Sequence, residues 1–120
     1  GSDKSIGFRL PYAPDSRSVY VFEAPIDLMS YCTLHREFHS NALALSCLDD
    51  HALSVFLREH PAVRKVVLCL DHDHPGMEAA ERIGRKYAAE GYAVQTLSPP
   101  SRKDWNAYLT FVQQCQERGR

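Results

Sequence analysis

The chain has 120 residues, 44% of them hydrophobic and 24% charged, which is the size and mixture of one globular domain able to bury a core. Fourteen Lys and Arg stand against fifteen Asp and Glu, a formal net charge of -1, so the chain lacks the basic excess of a protein that grips nucleic acid unaided. No apolar run is long enough to span a bilayer and no CxxC pair suggests structural zinc; four scattered cysteines fit a cytoplasmic protein with reduced thiols.

Residues 1–17 read as a remnant of cloning, Gly1-Ser2, and a polar, proline-containing lead-in, and residues 18–120 as the domain proper, a piece of a longer protein. Ser18 to Phe22 (SVYVF) is β-branched and aromatic and predicts a strand, and Pro25 then suits a first helical turn. That helix is expected to run to about His39, with Ile26, Met29, Leu34 and Phe38 along its apolar stripe. Asn41 to Leu48 predicts a second strand, and Asp49 or Asp50 caps a helix reaching Glu59. Lys65 to Leu70 is a third strand, followed by a helix from about Pro75 to Glu90 that stops at Gly91. Ala93 to Leu97 is the fourth strand, and after Pro99-Pro100 a last helix spans Asp104 to about Glu117, with Trp105, Tyr108, Leu109 and Val112 facing inward. Strand and helix alternating four times predict an α/β domain: an open, mainly parallel four-stranded sheet with helices on both faces.

In such a sheet the site forms beyond the carboxyl ends of the strands. Glu23 follows the first strand, Asp71 and Asp73 follow the third, and Asp104 follows the fourth after Lys103. Asp71 and Asp73, two apart at the end of an extended run, project to one side and can share a divalent cation; the alternative is that Asp71 begins a turn and Asp73 caps the next helix. Carboxylates gathered on one rim repel one another unless a cation or proton lies among them, which favours a metal.

Three segments, VYVFEAPIDLMSY around Glu23, LDHDHPGMEAA around Asp71 and Asp73, and KDWNAYL from Lys103 to Leu109, resemble the Toprim fold of bacterial-type primases, type IA and type II topoisomerases and overcoming-lysogenization-defect nucleases. FEAPIDLMSY with KDWN is similar, more narrowly, to the primase-related Toprim-like domains of plasmid and conjugative-element proteins; the resemblance covers about residues 18 to 112. Many members carry Gly after the glutamate where this chain has Ala24 and Pro25. The resemblance implies that Asp71 and Asp73 coordinate Mg²⁺ or Mn²⁺, that Glu23 is a general acid or base or joins the metal shell, and that Asp104 makes a further metal contact, with Lys103 and His72 as phosphate contacts. It implies a catalytic core for nucleotidyl transfer or cleavage on DNA or RNA, working with other domains of a mobile-element or replication protein. The competing expectations are a non-catalytic module that binds nucleic acid or a partner, and a flavodoxin-like phosphoryl-handling enzyme; the latter generally places its key aspartate after the first strand, where this chain has Glu23.

Other candidates have plainer readings. His35 and His39 share a helix face but lack an acidic or Cys partner at a telling distance, so an exposed or capping pair is favoured over zinc. Asp27, one turn after Glu23, either leans back to the crevice or complements the positive helix start, the second being favoured. Arg82, Arg85 and Lys86 read as a solvated face paired with Glu78, Glu81 and Glu90, and Trp105 as packing rather than base stacking.

Overall fold

The structure is a computed structural model that describes residues 8–119. Gly1 and Ser2, expected from the sequence to be a cloning remnant, lie outside the described residues.

The centre of the sheet is β2 (Ser18–Phe22) and β4 (Lys65–Cys69), rich in β-branched and aromatic residues, with the fully buried β3 (Asn41–Ala44) beside β2 and with β1 (Phe8–Arg9) and β5 (Ala93–Thr96) at the edges. The order is β1-β3-β2-β4-β5, with β3, β2, β4 and β5 parallel and β1 antiparallel to β3. Helices α1 (Pro25–Leu34), α2 (His51–Glu59), α3 (His74–Ala89) and α4 (Trp105–Arg118) fill the crossovers and the end of the chain. The alternating α/β architecture is the one expected, with five strands instead of four. The fifth, β1, is only two residues long and comes from the lead-in, where no alternation exists to reveal it.

The central strands β3, β2 and β4 are buried on both faces, as parallel strands require, while the edge strand β5 is largely exposed. Val19, Val21, Val66 and Leu68 face α2 and α3, whose Leu53, Phe56 and Ile83 complete one core. Phe22, Val67 and Cys69 face Leu28 and Tyr31 of α1 and Trp105 of α4 in the other. All four cysteines are free thiols, and no helix among the described residues is long and apolar enough to cross a membrane.

Helix α1 differs most from expectation. It ends at Leu34, five residues before His39, and half of the expected stripe is outside: Ile26 is 57% and Met29 53% exposed, whereas Leu34 and Phe38 pack partly buried against the core. The inward face is Asp27, Leu28, Ser30 and Tyr31. Two polar side chains can face inward because α4 supplies their partners: Asn106 Oδ1 lies 3.2 Å from Ser30 Oγ, and the Asn106 backbone N–H donates to Asp27 at 3.2 Å. On α4, Trp105 is buried whereas Tyr108, Leu109 and Val112 are only partly covered.

Candidate metal centre

Three strand-to-helix junctions meet at the carboxyl edge of the sheet. Strand β2 ends at Phe22, and Glu23 and Ala24 lead to Pro25 at the start of α1; the backbone stays tied to the neighbouring strand, Ser46 N–H donating to Glu23 O at 2.9 Å. Strand β4 ends at Cys69, and Asp71 follows the buried Leu70. The Ser98–Asp104 loop after β5 crosses to the same edge, held by the His72 N–H donating to Lys103 O at 2.5 Å.

The junctions bring Asp27, Asp71 and Asp104 together, one carboxylate oxygen from each lying within 4.8 Å of the other two. Asp27 is only 4% exposed. Burial pushes its carboxyl up; the Asn106 N–H pulls it back, and the charge of Asp104 adds to the rise. Asp71 is pushed up to about 7, by burial first and then by the charges of Glu23, Asp27, Asp104 and Asp73. Five carboxylates therefore share one electrostatic neighbourhood.

The residues singled out in the sequence take different places in it. Glu23 lies outside the three-oxygen cluster, yet it is the largest charge acting on Asp71, and its Oε1 is buried with no hydrogen-bond partner among the described residues. Burial raises its carboxyl, the Asp71 backbone N–H lowers it, and the charges of Asp73 and Asp27 raise it further. Asp73 is the N-cap of α3: Oδ1 accepts from the Gly76 N–H at 2.9 Å, while Oδ2 lies 3.9 Å from Lys103 Nζ. Asp71 therefore has carboxylate neighbours on α1 and at the start of α4 as well as Glu23 and, two residues along its own loop, Asp73. Asp104 caps α4, accepting from the Ala107 N–H at 2.7 Å, and contributes to the cluster as well. Lys103 and His72 are both exposed beside the carboxylates.

Asp27 is the member the sequence reading set aside, as a complement to the helix start. Its signal was its spacing: four residues after Glu23 and four before Tyr31, on the face of α1 that turns inward.

The donor set fits a hard divalent cation. Every donor is a carboxylate oxygen, the group Mg²⁺ and Mn²⁺ prefer. A buried, unpartnered carboxylate oxygen on Glu23 and an Asp71 proton held to about neutral pH are what such a cluster shows when its charges answer only one another.

A search of curated proteins gave no significant match. Among solved structures, the primase fragment of the bacteriophage T7 primase-helicase protein superposes with a TM-score of 0.59 at 17% identity, over 85% of this chain and 43% of that fragment, a likeness of fold. This chain therefore spans less than half of that fragment. The Toprim-like family matches residues 20–109, from the middle of β2 into α4 and across every carboxylate described above, and the chain belongs to that family.

Proposed function

We propose that this domain is a metal-dependent catalytic core acting on DNA or RNA phosphodiesters, by nucleotidyl transfer or cleavage, with Asp27, Asp71 and Asp104 as the holders of Mg²⁺ or Mn²⁺. The observation that carries the reading is the convergence of those three carboxylates from separate junctions within 4.8 Å. When bound, the cation supplies neutralisation of negative charge on phosphate oxygens. Glu23, carrying a raised pKa and an unpartnered oxygen beside Asp71, is suited to hold or move a proton. Oδ2 of Asp73, which the cap leaves free, is available to the same shell, and Lys103 and His72 stand where a phosphate would meet them.

The near-neutral charge of the chain supports a division of labour in which other domains of a replication or mobile-element protein provide most of the grip on nucleic acid. The likeness to a primase fragment of which this chain covers 43% is compatible with such a setting.

The test is a thermal-unfolding titration with Mg²⁺ and Mn²⁺, followed by primer-synthesis, nicking and hydrolysis assays. Wild type is expected to gain several degrees in Tm, and Asp71→Asn to lose the gain together with any phosphodiester chemistry. No rise in the wild type would remove the metal, and a rise without chemistry would favour a binding module.

A further inference from the structure

Both helices that deliver carboxylates to the cluster carry an aromatic residue one turn further along. On α1 Asp27 is followed by Tyr31, and on α4 Asp104 is followed by Tyr108, each four residues on and therefore on the same side of its helix. One turn is about 5.4 Å, comparable with the reach from a backbone phosphate to its own base. Between these rings lies a cavity of about 360 Å³, walled by Tyr31, His35, Leu97, Pro100, Trp105 and Tyr108.

Half of its lining is aromatic or imidazole. The Tyr31 ring meets Trp105 edge-on at 4.8 Å and carries His35 stacked on it at 4.2 Å, while Tyr108 meets Trp105 edge-on at 6.3 Å. Trp105 is 3% exposed, a packed wall as its sequence position suggested, but its indole Nε1 is buried with no acceptor among the described residues. A wider cleft of about 840 Å³ along α1 and α4 adjoins the cavity, the two sharing Tyr31, Leu34 and His35 as lining.

We propose that this cavity binds one nucleobase of a single-stranded polynucleotide whose phosphate lies at the carboxylate cluster. A planar ring suits a cavity of this size edged by the accessible rings of His35 and Tyr108, and stacking of this kind tolerates any base. The wider cleft accommodates the strand leading away, space that a lone mononucleotide would leave unfilled. The inference rests on the proposed phosphodiester chemistry for its choice of occupant; the contacts to the base itself involve no carboxylate and need no metal, whereas the phosphate needs a cation among the carboxylates.

Trp105 is the sole tryptophan, so its fluorescence reports on the cavity directly. The intact chain is titrated with a short single-stranded oligonucleotide, with the same oligonucleotide carrying abasic sites, and with a nucleoside monophosphate. Each titration is run in Mg²⁺ and, for Asp71→Asn, in EDTA. Expected is saturable quenching by the base-bearing strand, at least about five-fold weaker binding of the abasic strand and of the mononucleotide, and, in Asp71→Asn without metal, weaker overall binding that still distinguishes the base-bearing from the abasic strand. His35→Ala, an exposed position that spares the fold, and Tyr108→Ala, with its melting curve checked, are each expected to weaken binding by about five-fold or more. Equal quenching by normal and abasic strands, or undiminished affinity in folded His35→Ala and Tyr108→Ala, would overturn the pocket. Quenching that survives while Mg²⁺ leaves the wild-type Tm unchanged would sink the metal proposal and leave this one standing.

Discussion

The backbone N–H of Asn106 donates to Oδ1 of Asp27 at 3.2 Å, so the first turn of α4 holds a carboxylate that belongs to α1. One aspartate is thereby both a joint between two helices and a member of the carboxylate cluster. The two roles respond differently to substitution, because the joint needs an acceptor and a cation needs a charge.

Asp27→Asn keeps an oxygen for the Asn106 N–H and removes one negative charge from a crowded site. Its metal-free stability at pH 8 is expected to equal or exceed that of the wild type, with the Mg²⁺-dependent rise in Tm lost. Asp27→Ala leaves a buried N–H without an acceptor and is expected to lose roughly 1–3 kcal/mol in urea unfolding. If Asp27→Asn kept the full response to Mg²⁺, Asp27 would be a joint alone.

The same residue shows what a sequence displays and what it conceals. Strands β2 and β4 were legible because VYVF and VVLC permit little else, and the carboxylates after them could be placed on a rim by topology alone. Asp27 was hidden because an acid in the first turn of a helix already has a local explanation in the helix dipole. Its true partner, Asn106, is 79 residues away. The inverted face of α1 has the same cause: Ile26 and Met29 look like core residues until α4 provides a partner for Ser30. Strand β3 stops at Ala44, short of the expected Leu48, where Ser46 turns the backbone to a φ of 67°, a conformation that nothing in NALALSCL announces.

The protonation of Asp71 sets the response to pH. Its folded carboxyl is pushed up to about 7, whereas an aspartate in an unfolded chain titrates near 3.9. Between those values the folded protein holds a proton that the unfolded chain has released, so metal-free stability is expected to fall as pH rises from about 5 to 8. Glu23 and Asp27, also raised, act in the same direction. Bound Mg²⁺ requires the deprotonated form, so its stabilising effect should grow across the same window. The measurement is a Tm series from pH 5 to 8 with and without Mg²⁺, with Asp71→Asn as control. A Tm difference between wild type and Asp71→Asn that did not change with pH would contradict the assignment.

Asp73 separates capping from ligation. Its Oδ1 accepts from the Gly76 N–H, so Asp73→Ala is expected to cost about 0.5–2 kcal/mol in urea unfolding, and Asp73→Ser, another capping residue, to recover most of it. If the carboxylate also serves the cation through Oδ2, Asp73→Ser will restore the fold while the Mg²⁺-dependent rise in Tm stays reduced. A full metal response in Asp73→Ser would leave Asp73 with the cap only.

Gly76 joins the geometry of this loop to the position of its acids. A Cβ there would collide with the backbone carbonyl of Asp71 and come within 3.0 Å of Asp73 Oδ1, so the α3 turn can close under both carboxylates only without a side chain. Gly76→Ala is therefore expected to cost roughly 1–3 kcal/mol, the usual range for forced overpacking, and to weaken the Mg²⁺ response by displacing Asp71. Gly84, two turns on in the same helix, makes the control. Its Cβ would meet Val94 and Leu68 at 3.5 and 3.6 Å, ordinary contacts, so Gly84→Ala should gain about 0.5–1 kcal/mol from helix propensity. Urea unfolding of the two alanine variants, with and without Mg²⁺, compares one helix former at two sites. If Gly76→Ala were as stable and as Mg²⁺-responsive as Gly84→Ala, the loop would tolerate displacement, and close approach at Gly76 could not be what fixes Asp71.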